Sequence, residues 1–202
     1  MRRRLGALAA GLLALAFVLS GCSAKNIVDA PVKGPQVDVA TPAMVAEKKH
    51  GGIEDCPAAE VAHGVLPDKT IRCLGGGRSV TMSTLKGPLV LNFWQGTCAP
   101  CRREMPALAA FHKQYPQVPL IGVDTSEFYV GVALRKAVQY GVTYPLLTDQ
   151  DGLLQGTSLS VTHIPSFFFL TASGKLIGPI QGGLDTVAQV KAMVDEQLGL
   201  HL

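Results

Sequence analysis

The sequence predicts an α/β fold in which a central mixed sheet is flanked by helices, and three observations carry that expectation. From Leu89 onward, short apolar runs bounded by glycine or proline alternate with segments of helical period. The first of these runs, Leu89-Val90-Leu91-Asn92-Phe93, leads within a few residues into a C-x-x-C and then a helix. Late in the chain, Ser166 to Leu170 and Leu176 to Ile180 read as strands. Between them lies Ala172-Ser173-Gly174-Lys175, a hairpin turn signal that adds an antiparallel pair.

Taken in order, the chain opens on a targeting signal. Met1-Arg2-Arg3-Arg4 is a positive leader, and Leu5 to Leu19 is an apolar run of 15 residues, short for a membrane-spanning helix. The run ends in Leu19-Ser20-Gly21-Cys22, which resembles the bacterial lipobox, in which a cysteine is acylated and becomes the new amino terminus. Residues 1–21 are therefore expected to be a lipoprotein signal peptide, with lipid carried on Cys22. The remainder is expected at the extracytoplasmic face of the bacterial cell membrane, because several acyl chains on one residue anchor durably where a single chain does not. Residues 22–54 are broken by Pro31, Gly34, Pro35, Pro42, Gly51 and Gly52 and sustain no period, so they read as a flexible tether. Such a tether spans on the order of 30 Å. A helix over Pro42 to Lys49 is compatible with its composition.

Residues 55–202 form the predicted folded domain. Cys56 to Val80 is expected to add a hairpin. Leu89 to Phe93 has the continuous apolarity of a central buried strand. Pro100 to about Tyr115 reads as a helix, with Met105, Leu108, Ala109 and Phe111 at apolar positions. Val118 to Val123 is a second strand, Phe128 to Tyr140 a helix with Val130, Leu134 and Val138 along one face, and Leu146-Leu147 a short strand. Gly152 to Leu159 reads as a loop with a short helix, and Leu184 to Leu198 closes the chain as an amphipathic helix.

Composition excludes some functions. The chain of 202 residues has a formal charge of +3 and only 16% charged residues. Without Arg2, Arg3 and Arg4, its 18 basic residues fall to 15, equal to the 15 acidic ones. A neutral mature chain carries no electrostatic footprint for nucleic acid. A mean hydropathy of +0.27 argues against intrinsic disorder.

The five cysteines carry the chemistry. With Cys22 set aside for lipid, Cys98-Ala99-Pro100-Cys101 closes locally if it closes at all, and Cys56 and Cys73 are left to each other as a structural disulfide. A zinc site is disfavoured because one C-x-x-C clip is present where two are needed, and no histidine is suitably spaced; no metal is expected. A strand followed at once by C-x-x-C and a helix places Cys98 at the helix amino terminus. Unpaired backbone N–H groups and the helix dipole there favour a thiolate, the species that attacks a disulfide. Cys101, one turn further in, is placed to resolve the mixed disulfide. Pro106 should kink the helix, and His163-Ile164-Pro165 suits a cis-proline loop facing the dithiol. Glu104 lies one turn beyond Cys101, on the face of the dithiol, where a partly buried carboxyl with a raised pKa could move a proton to or from a cysteine. Asp124 and Asp149 end strands and read as caps, and His163 as a loop residue.

Phe93-Trp94, the C-x-x-C-x-x-E-x-P run from Cys98 to Pro106, and Ile164-Pro165 together resemble the thioredoxin superfamily, and more narrowly its membrane-tethered ResA/TlpA/CcmG group of extracytoplasmic thiol–disulfide oxidoreductases. The resemblance covers roughly Leu66 to Leu198. It implies a thioredoxin fold with an N-terminal extension and a central βα insertion, here Asp124 to Gly156. It also implies that Asn92 stands where cytoplasmic relatives carry a buried aspartate, with Glu104 as the acid used instead. Ile164 and Pro165 would then contact substrate. Thr97 departs from the tryptophan that commonly precedes the first cysteine, and the Cys56/Cys73 pair is not general to the group.

The expected function is a cofactor-free exchange of disulfides through Cys98 and Cys101. The expected task is reduction of client proteins, with the C-x-x-C-H site of apocytochromes c (cytochrome c maturation) as leading client and a membrane protein as electron donor. A disulfide-forming oxidase, a thiol peroxidase and a non-catalytic binding lipoprotein are the alternatives.

Overall fold

A computed structural model describes residues 37–58 and 64–202, of which Val37–Leu202 is one compact unit. The signal peptide, Cys22 and the tether up to residue 36 lie outside the described residues. Its centre is β3 (Leu89–Trp94), six residues buried on both faces, as a run apolar at every position but Asn92 demands. Parallel to it runs β4 (Leu120–Thr125), and parallel to that β5 (Leu146–Asp149). On the other side β6 (Ser166–Leu170) and β7 (Leu176–Gln181) add an antiparallel hairpin. The predicted N-terminal hairpin is present as β1 (Thr70–Cys73) and β2 (Val80–Thr81), with β1 antiparallel to β5. The seven strands run in the order β2-β1-β5-β4-β3-β6-β7, a mixed sheet.

Alternate residues of each strand feed two cores. The first joins Val90, Trp94, Leu120, Leu146, Phe167 and Phe169 to side chains of all four helices: α1 (Pro42–His50), α2 (Ala99–Gln114), α3 (Val130–Gln139) and α4 (Val187–Leu198). The second joins Leu89, Leu91, Phe93, Ile121, Val123 and Phe168 to the β1–β2 hairpin and to Leu154, Leu159 and Val161. Phe93 and Phe168 meet there edge to face, with ring centroids 5.3 Å apart.

Helix α2 buries Cys101, Met105, Leu108 and Phe111 at intervals of three and four, the stripe its sequence predicted. Pro106 lies on its exposed side, where the missing N–H leaves the Arg102 carbonyl without a helical donor. Helix α4 starts in a capping box of Thr186 and Gln189 and stops at Gly199, whose φ of 66° is left-handed. Gly152 to Leu159, expected to include a short helix, is a run of turns, at whose start the Asp149 carboxylate accepts the N–H groups of Leu153 and Leu154 at 2.7 and 3.0 Å. Among the described residues, no helix is long and apolar enough to cross a membrane.

The compact unit begins at Val37 rather than at residue 55, so the expected tether is folded over its second half. Val39, Met44 and Ile53 are buried, α1 packs on α3, and Glu54 N–H donates to the Thr143 carbonyl at 2.8 Å. The unusual anchor is Lys48, whose side chain is 7% exposed. Its ammonium donates to the Gly76 carbonyl (2.9 Å) and to Asp55 (3.0 Å), and lies 3.4 Å from Cys73 Sγ. A buried charge is tolerated when paired and hydrogen-bonded, and this one is both. It clamps α1 beside the Cys56–Cys73 disulfide, which is formed.

Candidate active site

The dithiol sits where β3 ends. Gln95 and Gly96 turn the chain, Cys98 N–H donates to the Gln95 carbonyl at 3.2 Å, and α2 begins with Cys98 as its N-cap. Cys98 Sγ accepts the Cys101 N–H at 3.2 Å, one of the donors a helix start leaves unpaired. Cys98 and Cys101 are bonded to each other, with their Cα atoms 5.3 Å apart. Cys98 is partly exposed, whereas Cys101 is 2% exposed. An incoming disulfide therefore meets Cys98, and on reduction the helix terminus favours a thiolate at that sulfur.

Opposite stands the Ile164–Pro165 loop, with a cis peptide bond. Cys98 Sγ lies 4.0 Å from the Ile164 carbonyl, so the loop and the sulfur share one surface. Ser166 Oγ donates to the His163 carbonyl at 2.7 Å and ties the loop to β6. His163 itself is exposed, its ring paired with Thr162, as befits a loop residue.

Glu104 is 1% exposed, on the expected face of α2, but its hydrogen bonds go to backbone and not to sulfur. Oε1 accepts the N–H groups of Gly183, in a very short contact, and of Leu184 at 3.0 Å. The adjacent Gly182 donates to the Pro165 carbonyl at 3.1 Å, so the buried acid braces the loop facing the dithiol. Gly182 permits this: a Cβ there would overlap the Glu104 carboxylate and come within 2.8 Å of Pro165 Cγ. Oε2 has no hydrogen-bond partner, and neither do Asn92 Nδ2 and Trp94 Nε1, buried on β3.

Burial raises the Glu104 pKa above the usual carboxylate value, against the lowering effect of the two backbone donors. Asp124 is raised much further by its burial and then by Glu127. It is fully enclosed with Oδ1 unpartnered, so the expectation that it caps the segment after the strand is corrected. Strand β4 simply runs two residues longer than its apolar part, carrying Asp124 inside, where Thr148 donates to it at 3.3 Å. Asp149 is raised as well, by burial first, though it does cap the turn that follows. A carboxyl harder to ionise in the fold than in the unfolded chain adds stability below the ordinary carboxylate range and loses it as pH rises through the folded value. The fold should therefore weaken as pH climbs from about 4 through these raised values, and Asp124→Asn should flatten the largest part of that slope in denaturation series across pH. Glu104→Gln should flatten a smaller part and shift the pH dependence of thiol exchange, while circular dichroism stays unchanged. An unaltered exchange profile would reduce Glu104 to a brace for the loop.

Sequence reasoning missed Glu127. It is buried between α3 and the dithiol turn: Oε2 accepts the Gly96 N–H at 3.0 Å and Oε1 the Tyr129 N–H at 2.9 Å. This capture makes α3 start at Val130, two residues later than its apolar period suggested, and leaves Phe128 and Tyr129 outside the helix. Gly96 matters for the same reason, since a Cβ there would come within 2.5 Å of Ala133 Cα. An acid immediately before a predicted helix was the available signal. Among the described residues, no group of three or more His, Cys, Asp or Glu side chains could hold a metal ion.

Residues 63–177 match the model of the AhpC/TSA family. The thiol–disulfide oxidoreductase ResA of Bacillus thuringiensis (strain Al Hakam) is 33% identical over 110 residues, 52% of this chain and 62% of that protein. The thioredoxin-like protein YneN of Bacillus subtilis (strain 168) is 28% identical over 151 residues, 73% of this chain and 83% of that protein. The match to that ResA thus spans less than two thirds of its length. Among solved structures, a secreted Mycobacterium tuberculosis disulfide oxidoreductase homologous to E. coli DsbE superposes with a TM-score of 0.56 at 24% identity, covering 64% of this chain and 96% of that one. The likeness shows the fold, a thioredoxin-like sheet and helices, as the sequence predicted.

Proposed function

The chain belongs to the AhpC/TSA family, and from that membership and the site just described we propose that it is a thiol–disulfide oxidoreductase acting through Cys98 and Cys101. The observation that carries this is the dithiol itself: a closed C-x-x-C at a helix start, its outer sulfur facing the Ile164–Pro165 loop and its inner sulfur buried. In the reducing direction, the Cys98 thiolate attacks a client disulfide. One sulfur of the client bonds to Cys98, and the other leaves as a thiolate and takes a proton. Cys101 then attacks Cys98 Sγ, the second client sulfur departs, and Cys98–Cys101 closes. Two electrons and two protons have passed to the client.

The reading extends to reduction of secreted clients, with the C-x-x-C-H segment of apocytochromes c as leading substrate in cytochrome c maturation. The likeness to the thiol–disulfide oxidoreductase ResA and the thioredoxin-like YneN supports the exchange chemistry. A dithiol protein of the membrane would re-reduce the pair, and a lipid on Cys22 would hold the domain at the extracytoplasmic face. Supporting the anchor are the basic leader, the apolar run and Leu19-Ser20-Gly21-Cys22.

Equilibrium titration of Cys98/Cys101 against glutathione tests the direction. A reductant should lie near the roughly −270 mV of thioredoxin, and a value near the roughly −120 mV of a strong oxidant would reverse the assignment. Mass spectrometry of membrane-extracted protein should find an acylated Cys22 first; a chain retaining Met1 to Gly21 would remove the anchor.

A further inference from the structure

Two features beside the dithiol take no part in sulfur exchange. The first is a cavity of about 180 Å³ whose wall includes Ile164, Gln95, Thr125, Gln155 and Thr162. Ile164 is also the residue whose carbonyl lies 4.0 Å from Cys98 Sγ, so the cavity and the reactive sulfur share this residue. Apart from His163, its polar groups are amides and hydroxyls without charge.

The second feature begins just past Thr125. Phe128 is 85% exposed and Tyr129 67% exposed, two large rings adjacent in sequence. Scattered exposed apolar residues are ordinary, but a paired patch on a fixed backbone beside a reactive group is not. The backbone here is fixed. Gln95 Nε2 donates to the carbonyls of Thr125 (2.7 Å) and Ser126 (3.2 Å), and Ser126 N–H donates to Asp149 (3.1 Å). Glu127 joins the Gly96 and Tyr129 N–H groups, and Gln150 donates to the Glu127 carbonyl at 2.9 Å. Ser126 is held at a φ of 52°, a left-handed conformation a serine keeps when its surroundings impose it. Gln95 and Gly96, which lead into Cys98, thus hold the aromatic pair, and Gln95 also walls the cavity.

We propose that the cavity and the Phe128–Tyr129 pair, continuing from Cys98, form a strip that selects client segments by the side chains near their cysteine. The inference rests on the oxidoreductase reading. That chemistry supplies the occupant, since a mixed disulfide at Cys98 places the client backbone against Ile164. An uncharged polar side chain next to the client cysteine fits the cavity. From Thr125 to Phe128 is at most about 11 Å of chain, so an apolar side chain a few residues further along an extended client reaches the rings. The preferred client therefore carries a cysteine, an uncharged polar neighbour and an aromatic or aliphatic residue several positions away.

The test uses the reduced protein and a set of disulfide peptides that differ in one position, Phe or Ser, scanned from the second to the sixth residue beyond the cysteine. Wild type should open the best Phe peptide about tenfold faster, in kcat/KM, than its Ser counterpart, the ratio expected of a partly buried ring. Phe128→Ser combined with Tyr129→Ser should bring that ratio to about one, and Tyr129→Phe should keep it. A ratio near one in wild type, or one unchanged in the double variant, overturns the strip. Loss of vesicle binding by the double variant with an unchanged ratio would assign the rings to a lipid surface instead. If wild type opens neither the peptides nor oxidised glutathione, the oxidoreductase reading fails and the strip with it. Glutathione opened without peptide preference sinks the strip alone.

Discussion

Cys98→Ala should abolish disulfide exchange, a loss of three orders of magnitude or more, because the one thiol left in the site, Cys101, is buried out of reach of a client disulfide. Cys101→Ala should behave differently. The nucleophile survives, so the first step proceeds, but nothing attacks the mixed disulfide and it accumulates. The asymmetry follows from burial: Cys98 is partly exposed and Cys101 is 2% exposed behind it. In the reduced protein, iodoacetamide should accordingly label Cys98 first and Cys101 slowly. Non-reducing electrophoresis after incubation with a disulfide-bearing protein should show adducts with Cys101→Ala and none with Cys98→Ala. Labelling of Cys101 first would exchange the two roles. Exchange persisting in Cys98→Ala would place the nucleophile elsewhere, and full biological function without exchange in that variant would leave a binding lipoprotein in place of an enzyme.

The second large effect is on stability. Replacing both Cys56 and Cys73 by Ala should cost about 3 kcal/mol, the value for a closed loop of about this length. In a domain of this size that lowers the melting temperature by roughly 6–12 °C. The staple joins the segment after α1 to β1, whose Cys73 pairs with Leu147 in β5, so its loss should loosen the β2–β1 edge and α1 together. Exchange at Cys98 should continue, since the staple contributes no group to that site. Both staple sulfurs are buried, so mild reductant should open Cys98–Cys101 while the staple remains closed. Loss of exchange with the fold intact would make the second pair catalytic.

The dithiol was legible in the sequence because it is local: an apolar strand, a C-x-x-C and an amphipathic helix lie within one short stretch. The elements from Leu89 onward were found for the same reason, by period. What escaped depends on partners far along the chain. Helix α1 lies where the composition allowed one, over Pro42 to Lys49, but its docking on the domain was not legible, because it buries only Met44 and Lys48, and Lys48 is held by a carbonyl at Gly76. Asp124 looked like a strand end since a carboxylate rarely sits inside a sheet, and only the Thr148 hydroxyl on β5 explains its tolerance there. Glu104 was placed on the correct face of α2, but its hold on Gly183 and Leu184 joins segments whose proximity no local pattern encodes.

The contact between Glu104 and Gly182 also bears on descent. A side chain at position 182 would strike the carboxylate at position 104, so the two sites are inherited as one unit. While the acid is retained, mutation at 182 is closed to every residue but glycine. A lineage can leave that state by losing the acid first, after which position 182 is free to drift. Homologues sorted by their residue at 104 should therefore sort the same way at 182, and transplanting the acid into a scaffold without the glycine should fail until both are moved together.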